Sequence, residues 1–220
     1  MIVSIHQPAY NPWLGYLDKL SNSDIFIYLD TVQFEKNSFI NRNKIKTPQG
    51  ELWLTIPVKT KDHLNKPISE IEIDYKKNWI KNHLRSIEMN YKRAENFDLV
   101  YSFWKSILEI EYKYLSDLCY NQLIGVTDLL GVKNTKIIKS SDFSFESRKS
   151  DLILDICIEF KAKKYISGKM GKDYLDLAIF NNNNIEVTFQ EYSQLEYKQL
   201  WGEFIPNLGV LDYLMNTTKI

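Results

Sequence analysis

The chain has 220 residues, of which 44% are hydrophobic and 25% charged. That composition excludes a disordered chain, and a chain of this length can bury about 70% of its unfolded surface in one domain. Lys and Arg number 28 and Asp and Glu 28, a formal net charge of zero, which excludes a protein that holds nucleic acid mainly by neutralising phosphates.

Residues Ile2 to Ile5 form a short apolar run that stops at His6-Gln7-Pro8, and the run predicts a strand. A helix is predicted from about Trp13 to Ser21, with Leu14, Leu17 and Leu20 on its apolar face and Pro12 where a first-turn proline is tolerated. Asp24 to Asp30 then reads as a strand apolar on both faces, as buried parallel strands are. From Phe39 to Val58 two extended runs flank the turn signal Thr47-Pro48-Gln49-Gly50 and predict a β-hairpin. Lys59 to Lys66 is a polar loop containing Lys61 and His63; with Lys76 and Lys77 these lysines read as plain surface charge.

Trp79, Ile80, His83, Leu84, Ile87 and Tyr91 have helical spacing over 78–91, which makes His83 a packing histidine. A longer helical stretch runs from about Leu99 to Leu130, broken once or twice, and Gly131 stops it. The last third alternates. Strands are predicted at Lys136 to Lys139, Lys164 to Ile166 and Ile185 to Phe189. Helices are predicted at Asp151 to Phe160, Tyr174 to Phe180 and Pro206 to Met215, the last with Asn207 as N-cap. Five strands separated by helices predict a single α/β domain over 1–220. Its core is an open, mostly parallel, Rossmann-like sheet of about five strands, with a hairpin insertion at 39–58 and a helical block at 78–130.

The start of the chain lacks the basic and apolar regions of a signal peptide, and no run approaches 18 apolar residues. A cytoplasmic protein without a membrane span is expected. Cys119 and Cys157 each lie in an apolar helical run and read as buried thiols, and with three histidines they offer no zinc spacing, so no metal is expected.

In open α/β sheets ligands gather beyond the carboxyl ends of the strands. Behind the predicted strands stand His6-Gln7 with Tyr10, Asp30 with Gln33, Ser140-Ser141-Asp142, Ser167-Gly168 running to Lys172, and Gln190-Glu191. His6 is a candidate hydrogen-bonding or acid–base group. Ser167-Gly168-Lys169-Met170-Gly171-Lys172 lacks a Walker spacing; it is read either as a phosphate-facing turn or as a turn whose glycines need positive φ. In the run Gln33 to Lys44, Arg42 can fork onto an anion while Asn41 and Asn43 can grip sugar hydroxyls. Trp13 or Tyr10 can stack on a base or sugar. The expectation is one cleft with His6, Asp30 and Arg42 as catalytic residues. Gln7, Tyr10, Trp13, Gln33, Asn41, Asn43, Ser167, Gly168 and Lys172 would bind substrate or nucleotide.

The run from His6 to Lys19, HQPAYNPWLGYLDK, resembles the opening signature of the WbqC-like family. The likeness continues through Asp30 to Phe34, Asn41-Arg42-Asn43, Trp53 to Val58, Ser167-Gly168 with Gly171 and Tyr174, and Gln199-Leu200-Trp201 to Asp212-Tyr213-Leu214. The resemblance implies a role in bacterial surface-polysaccharide (O-antigen) synthesis. The implied reaction is N-acylation of a nucleotide-linked amino sugar with a small amino acid such as glycine, using ATP, with the need for Mg2+ left open. The alternatives are a non-catalytic nucleotide-sugar-binding protein, a coenzyme A-dependent acyltransferase and a glycosyltransferase. A more distant likeness is to the His-x-Gly-His turn of the adenylyl-transferring superfamily, with His6 in the first histidine's place and 167–172 as the late loop. Here Pro8 replaces the glycine, and neither Asn11 nor Pro12 supplies the second histidine.

Overall fold

A computed structural model describes residues 1–59 and 66–217; Lys61 and His63 of the predicted loop lie outside them. In chain order the elements are strand β1 (Ile2–His6), helix α1 (Leu14–Ser21), β2 (Ile25–Tyr28), β3 (Arg42–Thr47), β4 (Gly50–Thr55), α2 (Trp79–Tyr91) and α3 (Phe97–Leu108). They continue with α4 (Leu115–Leu129), β5 (Lys136–Lys139), α5 (Lys149–Glu159), β6 (Lys164–Ser167), α6 (Leu177–Asn182), β7 (Glu186–Phe189) and α7 (Val210–Asn216). The fold is the expected mixed α/β class. The backbone gathers into two compact units, one comprising Met1–Gln7, Gly15–Asp30 and Lys133–Ser193, the other Pro8–Leu14, Thr31–Val132 and Gln194–Ile220.

The first unit is built on a five-stranded sheet in the order β5-β2-β1-β6-β7. Every neighbouring pair in it is parallel. The strands are four or five residues long and apolar in the middle, which is why their sequences read as continuous hydrophobic runs. Val3, Phe26 and Ile27 are at most 1% exposed, and Tyr165 is 2% exposed. Each fully buried aliphatic or phenyl side chain of this kind contributes about 1.5–3 kcal/mol. Lys136, Lys139 and Glu186 on β5 and β7 put charge on the two sheet edges, which discourages further pairing.

Two local expectations need correction in this unit. Residues Lys169–Asp173 form a short 3-10 turn, and the helix starts only at Leu177, because the Asp176 side chain accepts the Ala178 N–H and fixes the start there. The glycines of the Ser167–Lys172 run do not need positive φ. Gly168 has φ −68° and ψ 162°, and neither it nor Gly171 is among the left-handed glycines, which are Gly50, Gly131 and Gly202.

The second unit holds the antiparallel hairpin β3–β4, turned at Thr47–Gly50 as its sequence predicts, with Gly50 at φ 105°. Helices α2, α3, α4 and α7 belong to the same unit, and Trp104, Leu108, Leu115, Leu118 and Cys119 lie in its core with no exposure. The long helical stretch breaks once, between Leu108 and Leu115, for a reason remote in sequence. Tyr75 Oη donates to the Tyr112 carbonyl and accepts the Tyr112 N–H, and the Leu115 N–H goes to the Ile71 carbonyl. The backbone of 109–115 is thus drawn off into pairing with 71–75.

Asn207 is not the cap of the last helix. It has φ 58° and spends its N–H on Gln194 Oε1, and Gly209 takes the N-cap position of α7. Gly209 also leaves room for Asn11, since a Cβ at Gly209 would stand 2.0 Å from the Asn11 amide nitrogen. Asn11 is fully buried with φ 49°; its N–H donates to Gln122 Oε1 at 2.6 Å, and its side-chain oxygen accepts the Leu211 N–H at 3.0 Å. Asparagine is one of the few residue types that tolerate such a φ. Among the described residues no helix is long and apolar enough to cross a membrane.

Candidate functional site

The first three strands of this sheet in chain order, β1, β2 and β5, run outward on one side, and β6 and β7 continue on the other side of β1. The order therefore reverses between β1 and β6. In open parallel sheets the crevice beyond the carboxyl ends at such a switch point is where nucleotides bind. Register places the ends His6, Tyr28 and Lys139 together on one side, and pairs Ser167 with Phe189 on the other. His6, Gln7, Asp30, Ser167, Gly168 and Lys172 all belong to this unit, and the first five follow or end its strands at that edge.

His6 is half-buried with its ring 4.5 Å from that of Tyr16, and Nδ1 lies 3.0 Å from the Gln7 carbonyl. A carbonyl only accepts, so Nδ1 carries the hydrogen and Nε2 the lone pair. Burial, with the charge of Lys19 adding to it, pushes the imidazole down to about 3. At physiological pH His6 is a neutral ring, and phosphate contact through an imidazolium is not its chemistry.

Asp30 is 1% exposed and its carboxylate is heavily used. Oδ1 accepts Ser140 Oγ and the Ser141 N–H, both at 3.0 Å, and Oδ2 accepts Ser141 Oγ at 2.9 Å. The Asp30 N–H in turn donates to Ser140 Oγ. This pattern ties the turn after β2 to the turn after β5, so Asp30 shapes the rim. Asp30→Ala is expected to lower the stability of this unit by about 2 kcal/mol, since it strands a set of donors; urea denaturation followed by far-UV circular dichroism measures it.

On the other side of the switch point Ser167 is fully buried against Gly171. A Cβ at Gly171 would stand 2.0 Å from Ser167 Oγ, so glycine is required there by close approach. Gly171→Ala is expected to force the serine out of place and cost about 1–2 kcal/mol, read as a lowered Tm. Lys172 lays its Nζ 5.4 Å from the centre of the Phe189 ring. Beyond β7, Gln190 Nε2 donates to the Gly15 carbonyl at 2.8 Å and to Asp18 Oδ2 at 2.6 Å.

The residue that sequence reading missed is Lys19. It is 3% exposed, and Nζ donates to the Ile5 carbonyl at 2.9 Å, beside the end of β1. Desolvation pushes its ammonium down to about 7. A signal existed. Positions 15, 16, 22 and 23, one helical turn either side, hold Gly, Tyr, Asn and Ser, so no carboxylate stands at helical pairing distance to make Lys19 a solvated ion pair.

The remaining candidates, Tyr10, Trp13, Gln33, Asn41, Arg42 and Asn43, belong to the second unit. Tyr10 has no exposure, so stacking on a ligand is not open to it. Its Oη lies 3.0 Å from His83 Nδ1, while His83 Nε2 lies 3.1 Å from the Thr55 carbonyl. The carbonyl fixes the tautomer: His83 donates through Nε2 and accepts the tyrosine hydroxyl. Burial pushes His83 down to about 4. Asn43 is also fully buried. Its Nδ2 donates to the Asn11 carbonyl at 2.6 Å and its Oδ1 accepts the Lys44 N–H at 2.8 Å, so it braces the hairpin instead of gripping a sugar. Asn41 is 7% exposed and donates to the Ile56 carbonyl. Gln33 is exposed and bridges to Pro67.

One face of the second unit does present ligand-type groups. Trp13 and Phe39 lie 5.7 Å apart and Phe39 and Trp53 5.8 Å apart, with Phe39 and Trp53 exposed. The Arg42 guanidinium stacks 4.4 Å from the centre of the Trp53 ring, and Lys44 pairs with Glu51 at 2.6 Å. Arg42 Nη2 donates to the Asn37 carbonyl at 2.6 Å. Phe39 and Trp53 lie in the 39–58 stretch that the sequence marked, but Phe39 stands in the turn before β3, and its approach to Trp53 on β4 does not show in composition.

The profile of the WbqC-like protein family matches residues 7–219. The chain is similar to the uncharacterized protein Rv1507c of Mycobacterium tuberculosis, being 36% identical over 216 residues that take in 97% of this chain and 93% of that protein. No solved structure matches it.

Proposed function

The chain belongs to the WbqC-like protein family, and from that premise we propose that it acts in bacterial surface-polysaccharide synthesis, forming an amide between a small amino acid such as glycine and the amine of a nucleotide-linked amino sugar. The observation that carries the reading is the cluster at the β1/β6 switch point. There a neutral imidazole, a glycine-bearing turn and a buried lysine meet at the sheet edge that takes nucleotides in folds of this class.

A free carboxylate is a poor acyl donor, and ATP supplies its activation. The carboxylate oxygen joins an ATP phosphorus with loss of ADP or pyrophosphate. The amine nitrogen then attacks the activated carbonyl carbon, the former carboxylate oxygen leaves with the phosphate group, and the amine's proton passes to solvent. The residues here serve those events without a nucleophilic serine or cysteine: Cys119 and Cys157 are buried thiols, with Cys119 lifted above its usual range and Cys157 to about 12 by burial. His6 Nε2 accepts a hydrogen bond from the attacking amine and orients its lone pair. Lys172 and the Gly168 backbone offer donors to negative charge in the first unit; the second unit by itself carries Arg42 beside the Trp53 ring and near Trp13 and Phe39, a cationic, aromatic surface. Asp30 acts as a positioning residue, holding the turns after β2 and β5 together.

The test is to incubate purified protein with ATP, glycine and a panel of thymidine- and uridine-linked amino sugars, following ATP consumption and the mass of the sugar. A product heavier by one glycyl group, formed only with ATP, is expected. Product from an acyl-coenzyme A donor with no ATP consumed overturns the reading.

A further inference from the structure

Lys19 is a buried amine with no counter-ion among the described residues. Its Nζ donates to the Ile5 carbonyl at 2.9 Å, and among the described residues no carboxylate pairs with it. Asp18, its neighbour on α1, is held by Gln190 from the end of β7 at 2.6 Å. From β1 the titratable group facing it is His6, which feels its charge. Ser4 and Ser23 donate to the Lys19 backbone carbonyl at 3.4 and 2.8 Å, so they hold the helix and leave the ammonium uncompensated. From β6 what faces it is Gly168. A buried ammonium without a carboxylate costs stability, and here desolvation lowers its hold on the proton to about 7.

Gly168 supplies the second, independent observation. Its φ of −68° and ψ of 162° suit any residue, so the backbone does not ask for glycine. Nor does packing ask for it. A Cβ built at Gly168 meets one atom within 4 Å, Lys19 Nζ at 3.9 Å, which is ordinary van der Waals contact. By contrast Gly171, three residues on, is demanded by the Ser167 side chain. A glycine that neither conformation nor sterics requires leaves the space beside Lys19 Nζ free of a side chain on the side of the switch point.

We infer that Lys19 is the counter-ion site for a phosphoanhydride, whose phosphate oxygens enter past Gly168 between the ends of β1 and β6. This rests on the nucleotide-using reading above and deepens it by naming the group that meets the phosphates, which both ATP and a nucleotide-linked sugar carry. With the free amine near neutrality, binding the anion stabilises the ammonium and draws a proton from solvent at mildly alkaline pH.

Calorimetric titration of the intact protein at pH 8, in buffers of different ionisation heat, tests it with two probes, ATP and uridine diphosphate glucose, and with adenosine and uridine as phosphate-free controls. At least one phosphate-bearing probe should bind with uptake of close to one proton, a value that falls toward zero at pH 6, while the nucleosides bind weakly and without uptake. The probe that binds identifies the source. Lys19→Met should abolish the uptake and weaken binding tenfold or more, as expected for loss of a charge-assisted contact. Gly168→Ala, which the backbone accommodates, should keep Tm and weaken binding by covering Nζ. Binding without proton uptake at pH 8, uptake retained in Lys19→Met, or no binding of either probe at millimolar concentration overturns the proposal. Uptake with no amide product in the assay above would leave Lys19 as the phosphate counter-ion and remove the amide-forming reading instead.

Discussion

Acidification from pH 7 to pH 4 is expected to destabilise the fold by several kcal/mol, with His83 the larger single contributor. His83 is 5% exposed and bonded at both nitrogens as a neutral ring. Its imidazole is pushed down to about 4 in the folded chain from an unfolded value near 6.5. Below 6.5 the unfolded chain binds a proton that the folded chain refuses, so the equilibrium shifts toward unfolding until the folded ring also titrates. Stability is therefore full above about pH 6.5 and falls as pH drops toward 4, by ~3 kcal/mol for this group alone. His6 acts with the same sign over a window reaching down to about 3, but it is half-buried, and solvent screening reduces its share. The two residues sit in different units, so urea denaturation at pH 7, 5.5 and 4.5 can separate them. His83→Gln keeps polar groups at the site and should flatten the acid limb while costing stability at pH 7. A midpoint that does not move between pH 7 and 4.5 in the wild type would show that neither ring is held neutral.

Most of the sheet was legible in the sequence because its signal is local. A four-residue apolar run such as Ile25–Tyr28 between polar turns announces a buried strand without help from the rest of the chain. The hairpin carried its own turn residues, and the helical periods of 79–91 and 97–108 are strong. What escaped was set by partners distant in sequence. The break before Leu115 depends on Ile71 and Tyr75, and Asn207 is not a cap because Gln194 takes its N–H. The candidate site shows the same division. Strand ends can be counted, so His6, Asp30 and Ser167 were found. Their roles could not be counted, since the serines that occupy Asp30 lie 110 and 111 positions away. Tyr10 and Asn43 look like ligand-binding residues until burial shows each satisfied by the protein itself. Lys19 was hidden for the opposite reason. A lysine on a short helix reads as solvent-facing, and only the packing of α1 against the sheet places its ammonium at the strand ends.

His6→Ala is expected to lower turnover in the amide-forming assay by about 10²-fold or more while leaving the fold intact, the usual size of a single acid–base or orienting contribution. Part of the side chain's environment is cheap to lose. The ring is half-buried, its Nδ1–H goes to a backbone carbonyl one residue away, and one of its ring contacts is with Tyr16. The loss should therefore appear in kcat more than in Tm. The pH profile separates this role from a merely structural one. A neutral imidazole held near 3 gives no limb of its own between pH 5 and 8, whereas a group near 7, which is Lys19, does. The wild-type profile should then show a limb near neutrality that survives His6→Ala and disappears in Lys19→Met. His6→Gln, which restores an acceptor without a titrating ring, should recover part of the lost turnover. If His6→Ala instead erases a limb near 6.5, the ring works as an ordinary titrating base and the neutral-acceptor role is wrong.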